Sequence, residues 1–390
     1  MEYQFLNFCR FKPVGAIIVI GVLLNARQFK KMISGQETLE KLQFYQHFSQ
    51  QYQVPICFYS IQNATINQPD ITGYVIDPAV NKTSLKKVLW PKYHFCRAIL
   101  SQKNRDTIEE LIVENYLQFY QLQSQEERNK ETHIQFLRSN RKLTGHIPDT
   151  MPLNKHSLQE MLRKHEQILL KPVTGSLGKK IVLVEKKCNH YLLYSKNGLL
   201  ANPKIFSLGE LIEYISKRYL QQSKYLVQER VKVDTFKNRI YECRTSVQLN
   251  ETGEWEVTGK VIRLAQPNKF LTNIHQGAEA MPFQTLFTDE MPVVRAINNL
   301  SIMIAEELAK HLNIIDFGLD LMLDYKQHIW FIESNLRDQR LSYKAANDYQ
   351  TWYRTTTTPL SYILSRMKED QCNRSFLNFS DFFPKQWLFF

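Results

Sequence analysis

Hydrophobic and polar positions change their period several times along the chain, and each change marks an element. Residues 14–24 are an unbroken run of β-branched and small apolar side chains. That is the pattern of a buried strand opening an α/β domain. The run is too short for a bilayer span, which takes about 20 residues. Leu24-Asn25-Ala26-Arg27 makes a poor signal-peptide cleavage site, so a cytoplasmic protein with no membrane partner is expected. Ser34 and Glu37 have capping-box spacing ahead of Leu39, Leu42, Tyr45 and Phe48, which recur along one helical face. Short apolar runs follow at 54–61 and 71–76, and Ile108, Leu111, Ile112 and Asn115 align on an amphipathic helix over 107–120. Strand–helix–strand order predicts a small α/β domain. The charged, weakly apolar stretch 121–130 tolerates a boundary, placed after residue 128.

Past that boundary the rhythm changes. Ser157/Glu160 and Ser207/Glu210 are further capping boxes, each opening a short helix. Segments 181–185, 191–194, 225–228, 239–249 and 255–265 read as strands. Ile297, Leu300, Ile304 and Leu308 stripe a helix over 296–312, and two last strands enclose Asp320 and Glu333. The expected organisation is an α/β domain over 1–128, a main domain over 129–345, and a helical, aromatic-rich extension over 346–390.

Composition narrows the function classes. Of 390 residues, 50 are Lys or Arg and 38 Asp or Glu, a net charge of +12. An anionic partner suits that balance. No recognition helix or RNA-binding aromatic signature accompanies it, so a nucleic-acid partner is not expected. An apolar share of 43% excludes a mostly disordered chain. Six cysteines, none closer than 39 residues to the next, fit no zinc knuckle, CxxC pair or disulfide framework. They read as buried free thiols in a reducing compartment.

Two constellations carry candidate chemistry. In residues 169–181 a strand delivers Lys171 to a turn containing Gly175, Ser176 and Gly178. Glycines let backbone N–H groups close on an anion, Ser176 adds a hydroxyl donor, and Lys171 supplies a point charge suited to phosphate. An ordinary hairpin with a basic tip has the same composition, and the segment is not a Walker A loop. In residues 316–324, alternation turns Phe317, Leu319, Leu321 and Leu323 inward and Asp316, Asp320 and Asp324 to the other face. Glu333 and Asn335 share a face of the next strand. Carboxylates and an amide brought together on neighbouring strands suit a hard cation such as Mg²⁺ bridging to phosphates.

Together these blocks resemble the ATP-grasp superfamily and, within it, the endospore coat-associated YheC/YheD-type family. The resemblance spans residues 130–340 and rests on Asn129-Lys130, Pro148-Asp149-Thr150, the loop after Lys171, Tyr225-Leu226-Val227-Gln228, Glu242-Cys243-Arg244, Thr272-Asn273-Ile274-His275 and the Asp320 to Asn335 block. It implies an ATP-grasp fold preceded by a small α/β pre-ATP-grasp domain, with ATP between two α+β subdomains. By that resemblance Lys130, Lys171, Gly175, Ser176 and Gly178 contact phosphates. Gln228, Glu229, Arg230 and Val231 form the hinge that reads adenine, with Asp234 the ribose candidate. Arg244 and Lys171 are the catalytic candidates, and Asp320, Glu333 and Asn335 hold Mg²⁺. The implied activity is an ATP- and Mg²⁺-dependent ligase that joins an unknown carboxylate to an amine through an acylphosphate, in association with spore-coat proteins. An ATP-binding structural coat protein without catalysis would keep the same ligands, and a structural pairing of Arg244 with Glu242 is the lesser alternative. Three positions depart from the family pattern: Lys180 where a glycine is usual, Glu242 for an aspartate, and Leu336-Arg337-Asp338-Gln339 without the customary proline.

Overall fold

The computed structural model describes residues 19–65, 67–80, 82–175, 178, 180–195, 198–220 and 224–380. The first half of the 14–24 run, Cys9 and the aromatic tail beyond 380 lie outside them. Three sheets organise the chain. The first runs Lys82–Leu89, Asp70–Asp77, Ile56–Tyr59, Ile20–Leu23, Tyr93–Cys96, Gln118–Tyr120 across its width. Its central strands pair in parallel, and the hairpin Asp70–Leu89 adds an antiparallel edge. Ile20–Leu23 sits in the middle and is fully buried, as an all-apolar parallel strand must be.

The helical signals around this sheet are partly displaced. Ser34 closes the helix Ala26–Ile33 instead of opening one, and the next helix, Leu42–Tyr52, begins after Lys41. Ser34 Oγ donates to Lys31 O, and Glu37 pairs with Lys344 in the distant chain, so neither is available for a capping box. The helix expected over 107–120 is capped earlier, by Ser101, and runs Gln102–Asn115. Tyr116 then turns into the left-handed region (φ 51°), and Gln118–Tyr120 becomes the edge strand. Ile108 and Leu111 are buried as their spacing predicts.

The second sheet is antiparallel throughout: Lys204–Phe206, His190–Tyr194, Val182–Lys187, Gln167–Pro172, Tyr225–Glu229, Thr150–Pro152. Helices Lys155–Lys164 and Leu208–Ile215 cover one face through Leu158, Met161, Leu162, Leu211 and Ile215. The Ser207/Glu210 box is present. The other box sits one turn earlier than expected, on Asn154 and Ser157, while Glu160 pairs with Lys164 at 2.6 Å. In the third sheet, Glu279–Pro282, Trp255–Leu264, Arg239–Leu249, Asp316–Leu323 and Ile329–Asn335 follow one another antiparallel. Helix Pro292–Ala309 packs Ile297, Leu300, Ile304 and Leu308 on its inner face, with Phe317, Leu319 and Leu321 fully buried beneath. The molecule is therefore a mixed α/β fold, one part-parallel sheet preceding two antiparallel α+β sheets.

The long helix Tyr349–Ser380 returns to the first sheet, burying Leu360, Ile363, Leu364 and Met367 beside Ile20, Val22 and Phe95. Pro359 lies inside it and has no N–H for the carbonyl of Thr355. Gln248, on the central strand of the third sheet, donates to that carbonyl at 2.7 Å and to Asp316 Oδ1 at 2.7 Å. A helix defect thus ties the C-terminal segment to the strand that carries Arg244. Cys57, Cys96 and Cys243 are buried free thiols, whereas Cys188 and Cys372 are exposed.

Candidate functional site

Register brings the polar residues of the third sheet into a row. Arg244 lies opposite Asp320, and Asp320 opposite Glu333; Ser246, Gly318 and Asn335 form the next row. Between Asp320 and Leu321 the register slips, which leaves Ile332 unmatched and keeps both carboxylates on one face. Arg244 lies flat across its neighbour: a Cβ on Gly318 would stand 2.5 Å from the guanidinium, which would have to move aside. Arg244 Nη1 reaches Asp320 Oδ1 at 2.5 Å and Nη2 reaches Asp338 Oδ1 at 3.1 Å. Arg263 Nη2 also reaches Asp320 Oδ1, at 2.5 Å, and pairs with Glu242. Glu242 thus engages Arg263 and Thr272, not Arg244. Burial alone would raise Asp320, but Arg244 and Arg263 outweigh it and hold the carboxyl below its ordinary pKa.

The second sheet supplies the facing wall. On Gln167–Pro172, Ile168 and Leu170 enter the core, which leaves Leu169 and Lys171 toward the cleft. Lys171 Nζ donates to Gln228 Oε1 at 2.5 Å, and Gln228 Nε2 donates to Thr150 Oγ1 at 2.9 Å. Burial, aided by repulsion from Lys130 and opposed by Glu333 and Asp320, lowers Lys171 to about 8. Lys130 opens the helix Lys130–Ser139 after the cap Asn129 and bridges the two walls by pairing with Glu333 at 2.9 Å. Gly178 adopts φ 68° against the Asn273 side chain, a place a Cβ could not occupy. Gly175 is also described (φ 153°), but Ser176 lies outside the described residues.

Between the walls lies a cleft of two chambers. One is lined by Lys171, the hinge residues Gln228, Glu229, Arg230 and Val231, and an apolar floor that includes Ile181, Phe270, Met322 and Ile332. The other is lined by Arg244, Arg263, Arg337 and Arg340 with His275 and Asn335. Both chambers share Asn273, Asp320 and Glu333. At the hinge, Glu229 N donates to Asp149 O and Arg230 N to Gln167 O. Asp234 does not line either chamber; its carboxylate accepts from Thr235 N and Tyr241 Oη.

Sequence reasoning missed the ions behind the row. Arg97, after the strand Tyr93–Cys96, is 1% exposed and pairs with Glu40 at 2.8 Å and Asp316 at 2.9 Å. Arg97 Nη2 also donates to Asp338 O at 2.6 Å, and Arg340 pairs with Asp316 at 2.6 Å. Asp338, taking Arg244 and Ser246, is driven down to about 2 because its arginines outweigh burial. This chain of buried charges couples the first sheet to the site. Its sequence traces are the density of charge in 337–340 and the segment from Pro91 to Arg97, which resembles the end of the family's first domain; the pairings themselves are not legible, since the partners lie as far apart as Glu40 and Arg340.

The oxygen donors suit a divalent cation. Asp320 and Glu333 occupy directly opposed positions, Asn335 Nδ2 donates to Asp320 Oδ2 at 3.3 Å, and histidine and cysteine are missing from the row. Their charge is balanced by lysine and arginine side chains, which a phosphate-bound cation can rearrange.

The family model described as YheC/D like ATP-grasp matches residues 121–365. Two Bacillus subtilis (strain 168) proteins align with the chain. The endospore coat-associated protein YheC is 24% identical over 222 residues, covering 55% of this chain and 61% of that protein. The endospore coat-associated protein YheD is 20% identical over 197 residues, covering 49% and 43%. The aligned part therefore spans less than two thirds of either relative. Among solved structures, D-cycloserine synthetase DcsG superposes with a TM-score of 0.50 at 10% identity, over 88% of this chain and 99% of that one. At that identity the likeness concerns the fold.

Proposed function

The chain belongs to the YheC/D-like ATP-grasp family, and from that premise we propose that it is an ATP- and Mg²⁺-dependent carboxylate–amine ligase. The observation that carries the reading is the two-chambered cleft whose chambers meet at Asp320 and Glu333. A base fits the apolar chamber, where Val231 and the hinge carbonyls read its edge, since the Glu229 and Arg230 amides are already engaged. The phosphates then point to Lys130, Lys171 and the loop of Gly175, Ser176 and Gly178. Asp320, Glu333 and Asn335 hold the metal, which supplies charge neutralisation for the phosphates.

The arginine chamber takes the carboxylate. One of its oxygens attacks the γ-phosphorus, the bond to ADP breaks, and an acylphosphate forms. An amine next attacks the acyl carbon and inorganic phosphate leaves. Arg244 is positioned by Asp320 and Asp338 to face the transferring group. Lys171, uncomfortable as a buried cation, gains an anionic partner when nucleotide enters. The relatives' names support association with the spore coat.

Hydroxylamine tests the reaction type. With ATP, Mg²⁺ and a panel of amino acids and peptides, a ligase yields ADP and a hydroxamate, and Arg244→Ala suppresses both together. ADP without hydroxamate for every acid indicates a bare ATPase or phosphotransferase. Intact nucleotide binding with no turnover indicates a structural coat protein, the reading favoured if the Arg263–Asp320 pair keeps the metal out.

A further inference from the structure

Arg337 is the arginine of the second chamber that the protein leaves without a carboxylate. Arg244 and Arg263 pair with Asp320, and Arg340 with Asp316. Among the described residues Arg337 forms no ion pair. Its one hydrogen bond runs from Nη1 to the side-chain carbonyl Oδ1 of Asn25, at 3.2 Å. That amide is itself fixed, because Asn25 Nδ2 donates to Ile99 O at 2.8 Å and Oδ1 accepts from Ile99 N at 3.2 Å. Nε is buried and makes no hydrogen bond. Nε and Nη2 form the edge of a guanidinium that grips a carboxylate with two parallel bonds, and Nη1 is the donor spent on Asn25. The side chain is thus held by its far nitrogen with its bidentate edge unused.

The surroundings add no compensation. Arg337 is half-buried with its Nε enclosed, and a partly desolvated cation without a partner is costly unless a ligand provides one. Arg337 lines the same chamber as Arg244, Asn335 and Glu333. It also belongs to the segment where this chain departs from the family's usual sequence.

We propose that Arg337 binds a second carboxylate of the acceptor substrate, so that the ligase acts on a dicarboxylic acid: one carboxylate meets the phosphoryl group beside Arg244 and the other docks on Arg337. This rests on the ligase reading above. Selectivity follows from the chemistry, because an amide in place of the second carboxylate brings no charge and leaves the guanidinium uncompensated.

Calorimetry on the full chain tests the assignment. The protein, loaded with Mg²⁺ and a non-hydrolysable ATP analogue, is titrated with L-glutamate and the linear diacids from malonate to pimelate, then with their monoamides. At least one diacid should bind tenfold or more tighter than its monoamide. Arg337→Gln should reduce that preference below twofold while the ATP analogue binds within twofold of wild type. Arg337→Lys, which keeps the charge but not the fork, should retain part of it, and it carries the test if the glutamine variant does not fold. No diacid preference in wild type, a preference that survives Arg337→Gln, or a parallel loss of nucleotide affinity overturns the assignment. Wild-type protein that fails to bind the ATP analogue overturns the ligase reading itself, a different result from nucleotide binding without diacid preference.

Discussion

Replacing Lys171 with methionine should stabilise the fold while destroying the nucleotide site. Lys171 is 7% exposed, and burial and Lys130 bring it from the ordinary 10.5 to about 8. A lysine whose folded pKa lies below its unfolded one costs stability in full below the lower value, and the cost fades between the two. From 10.5 to about 8 the cost is about 3 kcal/mol at pH 7, falling to about 1 kcal/mol at pH 10. Methionine forfeits the hydrogen bond to Gln228, about 1 kcal/mol. Lys171→Met should therefore gain about 2 kcal/mol at pH 7 and nothing measurable at pH 10. Urea unfolding of both proteins at pH 7, 8.5 and 10 reads the difference directly, and calorimetry should show ATP affinity reduced at least about tenfold. A variant less stable than wild type at pH 7, or a stability difference that does not move with pH, would refute the reasoning.

Other expectations follow from the same site. ATP phosphates should raise Lys171 again, so binding at pH 8.5 should take up a large part of one proton. Calorimetry in buffers of different ionisation enthalpy measures it, and zero uptake would remove Lys171 from the phosphates. Glu333→Gln should raise the Mg²⁺ concentration for half-maximal turnover about tenfold, the weight of one charged ligand, with little change in thermal midpoint. An unaltered Mg²⁺ requirement would exclude Glu333 as a ligand. Glu40, 3% exposed, is held near 2 despite burial by Arg97 and Arg340. Its contribution is present above the ordinary 4.5 and lost as pH falls through 2, so about 2 of about 3 kcal/mol should vanish between pH 7 and 3. Glu40→Gln should flatten that slope in chemical denaturation; an unchanged slope would separate Glu40 from acid stability.

Residues whose role is set by local pattern were legible in the sequence. Alternation alone turns Phe317, Leu319 and Leu321 into the core and leaves Asp320 on the opposite face, and all four are so placed. The Ser207/Glu210 cap is equally local. Partnerships across long separations were not legible. Asp320 meets Arg263 across the intervening strand Arg239–Leu249, a meeting set by strand register and not by spacing. Asp338 reaches Arg244 from a loop, and Arg97 arrives from another sheet. Capping failed where a tertiary contact competed: Glu37 is drawn to Lys344, away from the expected box. Asp234 shows the converse, a turn carboxylate satisfied by Thr235 and Tyr241 and directed to neither chamber.

The central claim is that a carboxylate takes the γ-phosphoryl group before any amine enters. Positional isotope exchange addresses it most directly, with ATP carrying ¹⁸O in the β,γ-bridge, Mg²⁺, the acid substrate and no amine. Reversible acylphosphate formation frees the β-phosphate of ADP to rotate, so label should move from the bridge to non-bridging β positions only when the acid is present. Arg244→Ala should abolish the exchange while nucleotide still binds. ADP released in the presence of acid with every label still in the bridge, or scrambling that needs no acid, would contradict the account.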